Sequence, residues 1–431
     1  MDVAEILDQL THAEGLPKAS LQIMSARRAE MVPMTTRRIR MLTLGAVLAP
    51  LIAVTATAAE CSKPSDLHDG WTVTAPDQEG LDPALICGIG PRLEALKEAN
   101  AHGVVIARHG RLVYERYFAG KDWRQGMSLG DVNFGMSLGD VNFDAATKHD
   151  MRSVSKSVTS LLVGIAFDRG LLTDLDARVF SFFPEYEALR TPEKDRITLR
   201  HLLTMSSGLA WNETTVPYTD PSNTYVQMEE APRADHYLLA QPLAVLPGEV
   251  FNYNTGTANL LGLILRKVSG KRLDAFAKET LFDPLGIEDW DWDDAAGFNP
   301  AAGSGLRLRP RDLAKIGQLV LERGKWHGRQ IVSSSWIEDS TTPRLSGKGV
   351  MFDRPEGITS YGYLWWLGRS PPEHPERGMI AGAGDGGQRV VILPSLGAVV
   401  VTTAGLYGGK ATGLTALTTL NEFVFPAAVK R

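Results

Sequence analysis

The sequence predicts an α/β fold of the α+β kind, in which both ends of the chain build one sheet and the middle forms a second domain. Residues 103–118 have the β-branched content and the glycine-containing turn typical of a hairpin. Short extended segments return near the C-terminus, whereas residues 153–290 are mostly helical in pattern. We therefore expect a sheet domain at 60–165 and 300–431, a helical domain at 166–299, and an active site between them.

The individual elements follow from local patterns. Residues 155–169 are so apolar that we expect the helix they form to be buried. Predicted helices lie, in chain order, at residues 83–99, 155–169, 199–205, 258–268, 309–323, 334–339 and 411–423. An extended, turn-rich segment is expected at 210–223. Predicted strands follow at residues 361–367, 379–381, 388–393 and 397–403.

The N-terminal region carries the pattern of a cleaved signal peptide. Three arginines precede an apolar run at residues 41–54, and small residues follow at 56–59. This pattern predicts a signal peptide at 34–59 and a periplasmic or secreted protein. Met34 is a natural start, so residues 1–33 are either a mis-started extension or a genuine cytosolic one. The apolar run is short for a membrane span, and we expect none in the mature form.

Composition argues against several functions. The net charge is −5, and no basic, aromatic-interleaved stripe is present, so nucleic acid is not an expected partner. The nine histidines are scattered, and no cluster has the spacing of metal ligands, so no metal and no cofactor are predicted. In an oxidising compartment, Cys61 and Cys87 either form one disulfide or remain unpaired. A small-molecule substrate is expected, and the sequence does not indicate an oligomeric state.

The central candidate for chemistry is the short motif Ser153-Val-Ser-Lys156. Residues three apart on a helix share a face, so the Lys156 amine is expected beside the Ser153 hydroxyl. A serine becomes a nucleophile when a neighbouring base removes its proton, and burial lowers the pKa of a lysine toward that role. The apolar residues that follow favour such burial. An exposed helix start is the alternative on these residues alone.

A competing serine motif lies in a tandem duplication. Residues 126–134 and 135–143 are identical copies, which suggests an insertion tolerated in a surface loop. Each copy contains Gly-x-Ser-x-Gly, at Ser128 and Ser137, which is the nucleophile elbow of α/β-hydrolases. That motif requires a buried strand before it and a helix after it, and neither is expected here. We therefore prefer Ser153.

Two further segments supply groups that acyl transfer needs. Tyr253 lies in a tight loop that enters the predicted helix 258–268, where its phenol is placed to exchange protons; simple packing is the alternative. The glycine-rich residues 381–388 precede a strand, and glycines there allow a substrate to approach the backbone closely. A backbone N–H of this segment, together with that of Ser153, would form an oxyanion hole. An ordinary glycine-rich turn is the alternative.

Together, these motifs resemble those of the serine β-lactamase and penicillin-binding-protein superfamily. Within it, the chain most resembles the class C β-lactamase-like esterases and the 6-aminohexanoate-dimer (nylon oligomer) hydrolases. The resemblance implies an antiparallel sheet flanked by helices, with an inserted, mostly helical domain. It covers residues 71–423 and includes these motifs: Ser153-Val-Ser-Lys-Ser157, His201-Leu-Leu-Thr-Met-Ser-Ser-Gly-Leu209, Asn252-Tyr-Asn-Thr-Gly256, Leu306-Arg-Leu-Arg-Pro-Arg-Asp-Leu313, Tyr361-Gly-Tyr-Leu-Trp-Trp366 and Gly384-Asp-Gly-Gly-Gln388.

The resemblance also implies roles for individual residues. Ser153 would be the acyl-enzyme nucleophile, Lys156 its general base and Tyr253 the proton shuttle. Contacts to the oxyanion or the substrate would come from Asp385, Gly386, Gly387, Gln388 and Tyr218.

Two positions depart from the superfamily pattern. Thr255 replaces the asparagine of Tyr-x-Asn, and Asp385 stands where Lys-Thr-Gly has its lysine, which removes the cation that grips a β-lactam carboxylate. The implied function is therefore a serine hydrolase of carboxylic esters or linear amides. A substrate amine read by Glu213 or Asp220 is a further expectation. A β-lactamase or D-Ala-D-Ala peptidase, or a catalytically silent ligand-binding relative, is the alternative.

Overall fold

A computed structural model describes residues 61, 63–124, 136–295, 298, 300–346, 357–370, 374–408 and 412–429. All of these residues lie in one compact unit, Ala59–Arg431. The predicted signal peptide and Ser128 lie outside the described residues. The boundaries expected between a sheet domain and a helical domain stay a prediction. No helix in the described ranges combines the length and the apolar character needed to cross a bilayer.

The strands are short, and several form hairpins. In chain order they are β1 (Thr72–Val73), β2 (Ala101–Arg108), β3 (Arg111–Tyr117), β4 (Ala119–Arg124), β5 (Met136–Asn142), β6 (His149–Asp150), β7 (Trp290–Trp292), β8 (Leu306–Leu308), β9 (Lys325–Trp326), β10 (Arg329–Gln330), β11 (Leu345–Ser346), β12 (Ile358–Tyr361), β13 (Trp366–Gly368), β14 (Met379–Gly384), β15 (Gln388–Leu393) and β16 (Ala398–Ala404).

Nine of these strands form the central sheet, in the order β1-β3-β2-β16-β15-β14-β13-β12-β11. The N-terminal hairpin β2-β3 therefore pairs with the last strand of the chain, as predicted. Neighbours are antiparallel, except that β1 pairs with β3 in parallel. Nearly every residue of β2, β15 and β16 is buried, which requires cover on both faces of the sheet.

Helices surround the sheet, and most begin at a capping residue or a proline. They are α1 (Pro83–Ala95), α2 (Val154–Asp168), α3 (Leu199–Leu203), α4 (Thr224–Glu230), α5 (Ala234–Ala240), α6 (Thr255–Ser269), α7 (Leu273–Ala277), α8 (Asp283–Leu285), α9 (Pro310–Leu321), α10 (Ser334–Ser340), α11 (Leu414–Thr418) and α12 (Phe425–Val429). Together with the strands, they confirm the predicted α+β class.

The strand predicted at 361–367 is wrong, because the chain turns back within it. β12 ends at Tyr361, β13 begins at Trp366, and a tight turn joins them. Leu364 in this turn has a left-handed φ of 62°, which leucine rarely adopts. Hydrogen bonds hold it there, from Leu364 N to Leu203 O at 3.0 Å and from Ser157 Oγ to Leu364 O at 2.8 Å. These partners are distant in sequence, so local pattern does not predict the turn.

The structure also answers two questions that the sequence left open, one about the cysteines and one about the repeat. Cys61 and Cys87 are joined by a disulfide bond. The second copy of the repeat forms β5, which pairs with β4 as an exposed hairpin. Ser137 therefore lies on an exposed strand that no helix directly follows, so it lacks the strand-to-helix turn that a nucleophile elbow requires.

Candidate active site

Ser153 lies at the N-terminus of α2, just after a sharp turn. The preceding Arg152 has a left-handed φ of 49°, and Val154 N donates to Met151 O at 3.1 Å. The Ser153 side chain makes no capping hydrogen bond to the helix backbone, although serine often does so at this position. Ser153 is only partly buried. The hydroxyl is therefore not occupied in capping the helix and is partly accessible.

Two glycines of β14 allow the sheet to touch this turn. A Cβ atom on Gly384 would lie 2.3 Å from the Met151 carbonyl oxygen, and one on Gly382 would lie 3.1 Å from Ser157 Oγ. The approach of Gly384 to the Met151 carbonyl is possible only for a residue without a side chain. The end of β14 therefore fixes the backbone that leads into Ser153.

Lys156 lies one helical turn further along and is almost completely buried, with 1% of its surface exposed. Its Nζ donates to Ser153 Oγ at 2.9 Å and to the carbonyl oxygen of Gly303 at 2.8 Å. Burial lowers the pKa of Lys156 to about 8, and the negative charge of Glu213 partly opposes this shift. Roughly a tenth of the amines are therefore neutral at pH 7. The structure places this lysine where the sequence predicted it.

Tyr253 lies beside Lys156, immediately before helix α6. The Lys156 Nζ is 4.9 Å from the centre of the Tyr253 ring, and that ring stacks on Trp366 at 5.8 Å. Asn254 caps the helix, because its side chain accepts from Thr257 N at 3.1 Å. The tyrosine is therefore held on a rigid edge, as the loop sequence predicted.

Glu213 is a buried carboxylate that links two loops of the site. It accepts from Trp211 Nε1 at 2.8 Å, from Tyr218 OH at 3.1 Å and from Thr255 N at 2.8 Å. The hydroxyl of Thr255 donates to it as well. Both carboxylate oxygens are thus engaged within the protein, so the structure gives no support to a substrate amine at Glu213. The threonine that departs from Tyr-x-Asn anchors this carboxylate.

Tyr218 is connected to the site by the hydrogen bond that it donates to Glu213. Its ring packs edge-on against Tyr225 at 5.6 Å. Burial raises the pKa of Tyr218 well above its usual value, and the charges of Glu213 and Asp385 add to this. The phenol therefore stays protonated and remains a hydrogen-bond donor. The other loop carboxylate, Asp220, is exposed and accepts from Ser222 N.

The turn between β14 and β15 contains the remaining predicted residues. Gly386 and Gly387 have φ values of 86° and 102°, a region that favours glycine. Both Asp385 carboxylate oxygens accept from Gly408 N at 3.1 Å, and burial raises the pKa of Asp385. This carboxylate ties the turn to the loop after β16.

Gln388 begins β15, and its side chain is fully buried. The amide nitrogen donates to Ala404 O at 2.6 Å. The side chain therefore faces the interior, so a contact from this residue to a substrate would use its backbone. Which N–H of residues 385–388 completes an oxyanion hole stays a prediction.

The fold thus gathers Ser153, Lys156 and Tyr253 at one place and sets a glycine turn beside them. A buried amine at hydrogen-bond distance from a serine hydroxyl is the arrangement of an activated nucleophile. Sequence reasoning missed the part played by Glu213. Its partner Thr255 lies 42 residues away in the chain, and no local pattern links the two. In the sequence, Glu213 appears only as the acid of a Trp-x-Glu pattern in a turn-rich segment.

Comparisons with known proteins bear on the family of the chain. A sequence profile described as Beta-lactamase matches residues 93–418. The 6-aminohexanoate-dimer hydrolase of Paenarthrobacter ureafaciens is 28% identical over 276 residues, which cover 59% of this chain and 65% of that protein. The lovastatin esterase of Penicillium rubens is 30% identical over 198 residues, which cover 40% and 46%. The chain therefore spans less than two thirds of the length of these relatives.

A solved structure agrees on the fold. The putative 6-aminohexanoate-dimer hydrolase from Bacillus anthracis superposes with a TM-score of 0.55 at 22% identity, covering 76% of this chain and 79% of that one. At this identity, the likeness concerns the fold alone. The profile match, however, extends over most of the chain, from α1 to α11. The superfamily resemblance predicted from the motifs is confirmed, and the chain belongs to the β-lactamase family.

Proposed function

We propose that this chain is a serine hydrolase that cleaves carboxylic esters or linear amides through an acyl-enzyme on Ser153. The observation that carries the proposal is the Lys156 amine, which is buried and lies 2.9 Å from Ser153 Oγ. Burial holds the pKa of this amine at about 8, so a neutral fraction exists near neutral pH. Few other arrangements of a lysine provide a general base, because an exposed lysine amine stays protonated near neutral pH.

The first half of the proposed reaction forms the acyl-enzyme. Neutral Lys156 takes the proton of Ser153 as Oγ attacks the carbonyl carbon. The N–H of Ser153 and one N–H from the turn after β14 hold the oxyanion, and each such donor contributes about 3 kcal/mol. When the tetrahedral intermediate collapses, the proton passes to the leaving alcohol or amine through Tyr253.

The second half releases the acid. Water enters in place of the leaving group, and Tyr253 and Lys156 remove its proton as it attacks the acyl carbonyl. The ester bond to Oγ then breaks, and the proton returns to Ser153. Each group ends in its starting protonation state, so the residues act catalytically.

Three observations support esters and linear amides over β-lactams. Asp385 places an acid where the superfamily motif has a lysine, and its carboxylate is bound to Gly408. One relative is named for a linear amide dimer and another for an ester. Because the chain belongs to the β-lactamase family, a β-lactamase or D-Ala-D-Ala peptidase is the second candidate. Export to the periplasm or the medium, through the pattern at 34–59, is part of this proposal.

Labelling by a fluorophosphonate probe tests the nucleophile. We expect the full chain to gain one covalent adduct on Ser153, seen by intact mass and peptide mapping. Ser153→Ala should abolish labelling and lower ester hydrolysis by roughly 1,000-fold or more. Ser137→Ala is the matched control and should behave as wild type. Labelling on Ser137, or none at all in the wild-type chain, contradicts the proposal, and the latter result favours a ligand-binding relative.

A substrate panel tests the substrate class. We expect turnover of p-nitrophenyl esters or of 6-aminohexanoate dimer, and much weaker turnover of nitrocefin. A preference for nitrocefin would overturn the ester and amide assignment while leaving Ser153 as the nucleophile.

A further inference from the structure

Two histidines and an aspartate that are scattered in sequence meet in the interior. His102 lies on β2, Asp122 on β4 and His149 on β6. One ligand-capable atom from each lies within 4.8 Å of those of the other two, and all three side chains are buried. The sequence spacing of 20 residues or more hides this cluster, because only the pairing of strands brings its members together.

The two imidazoles have unused nitrogen atoms. His102 Nε2 lies 3.0 Å from the carbonyl oxygen of Lys121, so this nitrogen carries the proton and Nδ1 carries the lone pair. His102 Nδ1 and His149 Nδ1 are both buried and have no hydrogen-bond partner among the described residues. Buried polar atoms are nearly always satisfied, and an exception commonly indicates a water or an ion.

The residues around the two imidazole rings exclude solvent and favour the neutral form of both rings. Phe143 stacks on His102 at 3.9 Å and on His149 at 4.6 Å. Both imidazoles are completely buried, and burial disfavours the charged form of a histidine. Neutral imidazole is the form that binds metals. A contact from a ligating histidine to a backbone carbonyl, as His102 makes, is the usual outer partner of such a ligand.

Asp122 supplies a buried carboxylate whose hydrogen-bond partners are neutral. Its Oδ1 accepts from Tyr407 OH at 3.0 Å, and the backbone of Trp123 also contributes. With only neutral donors in contact, the charge of this buried carboxylate lacks direct compensation among the described residues. A divalent cation between the carboxylate and the two imidazoles would provide that compensation.

From this geometry we propose that His102, Asp122 and His149 form a buried structural site for one divalent transition-metal ion, with Zn²⁺ as the expected occupant. Imidazole and carboxylate are both zinc ligands, at about 2.0–2.2 Å. Bonds of that length place tetrahedral ligand atoms roughly 3.3 Å apart, so the cluster must contract by at most about 1.5 Å. Water would complete the shell, because the Thr403 hydroxyl contacts His149 at its other nitrogen, Nε2, at 3.5 Å.

A metal ion at this site would stabilise the turn that leads into Ser153. Asp122 holds the Tyr407 hydroxyl, and the guanidinium of Arg152 lies 4.7 Å from the centre of the Tyr407 ring. Arg152 directly precedes Ser153. A metal ion would fix Asp122, and through it Tyr407, without touching the substrate. The inference does not depend on the proposed hydrolase activity.

Metal binding to the full chain tests the proposal. Protein stripped with EDTA and then dialysed against Zn²⁺ should hold about one ion per chain by mass spectrometry, and its Tm should rise reversibly. Co²⁺ should give the visible absorption of a tetrahedral site. Asp122→Asn keeps an acceptor for Tyr407, and His149→Gln keeps a polar side chain. Each should weaken binding by at least the roughly 10- to 100-fold that loss of an outer partner costs.

His68→Gln is the matched control, because the His68 side chain is 91% exposed and far from the cluster in the chain. It should bind Zn²⁺ as the wild type does. If the wild-type chain binds no Zn²⁺, or if Asp122→Asn and His149→Gln bind it unchanged, the proposal is wrong. The wild-type titration decides the matter even if a cluster variant fails to fold. A crystal structure grown with Zn²⁺ that shows water between the rings would also overturn it.

Discussion

Lys156 shows how one side chain acquires its chemistry from its position. Its Nζ contacts two neutral oxygens, Ser153 Oγ and Gly303 O, and no carboxylate lies within ion-pair distance among the described residues. The charged form therefore lacks a direct counter-charge, and burial favours the neutral amine. The nearest influence in the other direction is Glu213, which raises the pKa of Lys156 through space.

A pH profile of kcat/KM should report this amine. Lys156 is protonated below its pKa and cannot accept the Ser153 proton, so activity should rise with pH to a midpoint near 8. Well below the midpoint it should fall about tenfold per pH unit. Lys156→Arg should abolish turnover, because arginine keeps its proton. A flat profile between pH 6 and pH 9, or an active arginine variant, would exclude Lys156 as the base.

Glu213→Gln tests the electrostatic part of this picture. Removing the negative charge should lower the pKa of Lys156 further, so the midpoint of the kcat/KM profile should move to lower pH. Two of the four donors around Glu213 would then meet an amide nitrogen in place of an oxygen, and we expect the free energy of unfolding to fall by about 1–3 kcal/mol. Asp220→Asn, in the same loop but exposed, is the matched control. A midpoint that moves to higher pH would contradict the assigned influence.

At the level of elements, the junction between β14 and α2 determines where Ser153 lies. A Cβ on Gly384 would lie 2.3 Å from Met151 O, which is backbone and cannot move aside alone. Gly384→Ala should therefore displace the start of α2, cost roughly 1–3 kcal/mol of stability and lower kcat. Denaturation curves and ester kinetics would measure both effects.

Gly90→Ala provides the control for that substitution. Gly90 lies inside α1, and its nearest Cβ neighbour, Tyr114 OH, would be 3.4 Å away, an ordinary contact. Alanine there should stabilise the protein by about 0.5–1 kcal/mol through helix propensity. If Gly384→Ala is as harmless as Gly90→Ala, the strand does not position Ser153.

Elements with their own periodicity were predictable from the sequence, and long-range contacts were not. α2 begins at Val154 and ends at Asp168, close to the predicted 155–169, because its apolar run is continuous. The turn at Leu364 escaped prediction because its partners lie on other elements. The same holds for Glu213 and for the cluster at His102. In each of these cases the defining hydrogen bond or contact joins residues far apart in the chain.

For the whole molecule, the disulfide between Cys61 and Cys87 is the one covalent crosslink. It closes a loop of 26 residues, and the chain-entropy relation gives about 3.5 kcal/mol for a loop of that size. A Cys61→Ser/Cys87→Ser variant should lose about that much in urea unfolding. Reductant should lower wild-type stability to the variant's level and leave the variant unchanged. Equal stability of the oxidised protein and the variant would show that the bridge is dispensable.

The pairing of β2 with β16 has a consequence for how the protein folds. Val105 and Val401 are direct partners in the sheet, so the hydrogen bonds of this strand pair must wait until residues almost 300 positions further along the chain have been synthesised. Such distant pairings make folding slow and leave the hairpin β2-β3 without its neighbour in the meantime. Until β16 has been synthesised, a growing chain of this protein therefore carries an incomplete, apolar sheet edge at β2, and that interval is when aggregation competes with folding.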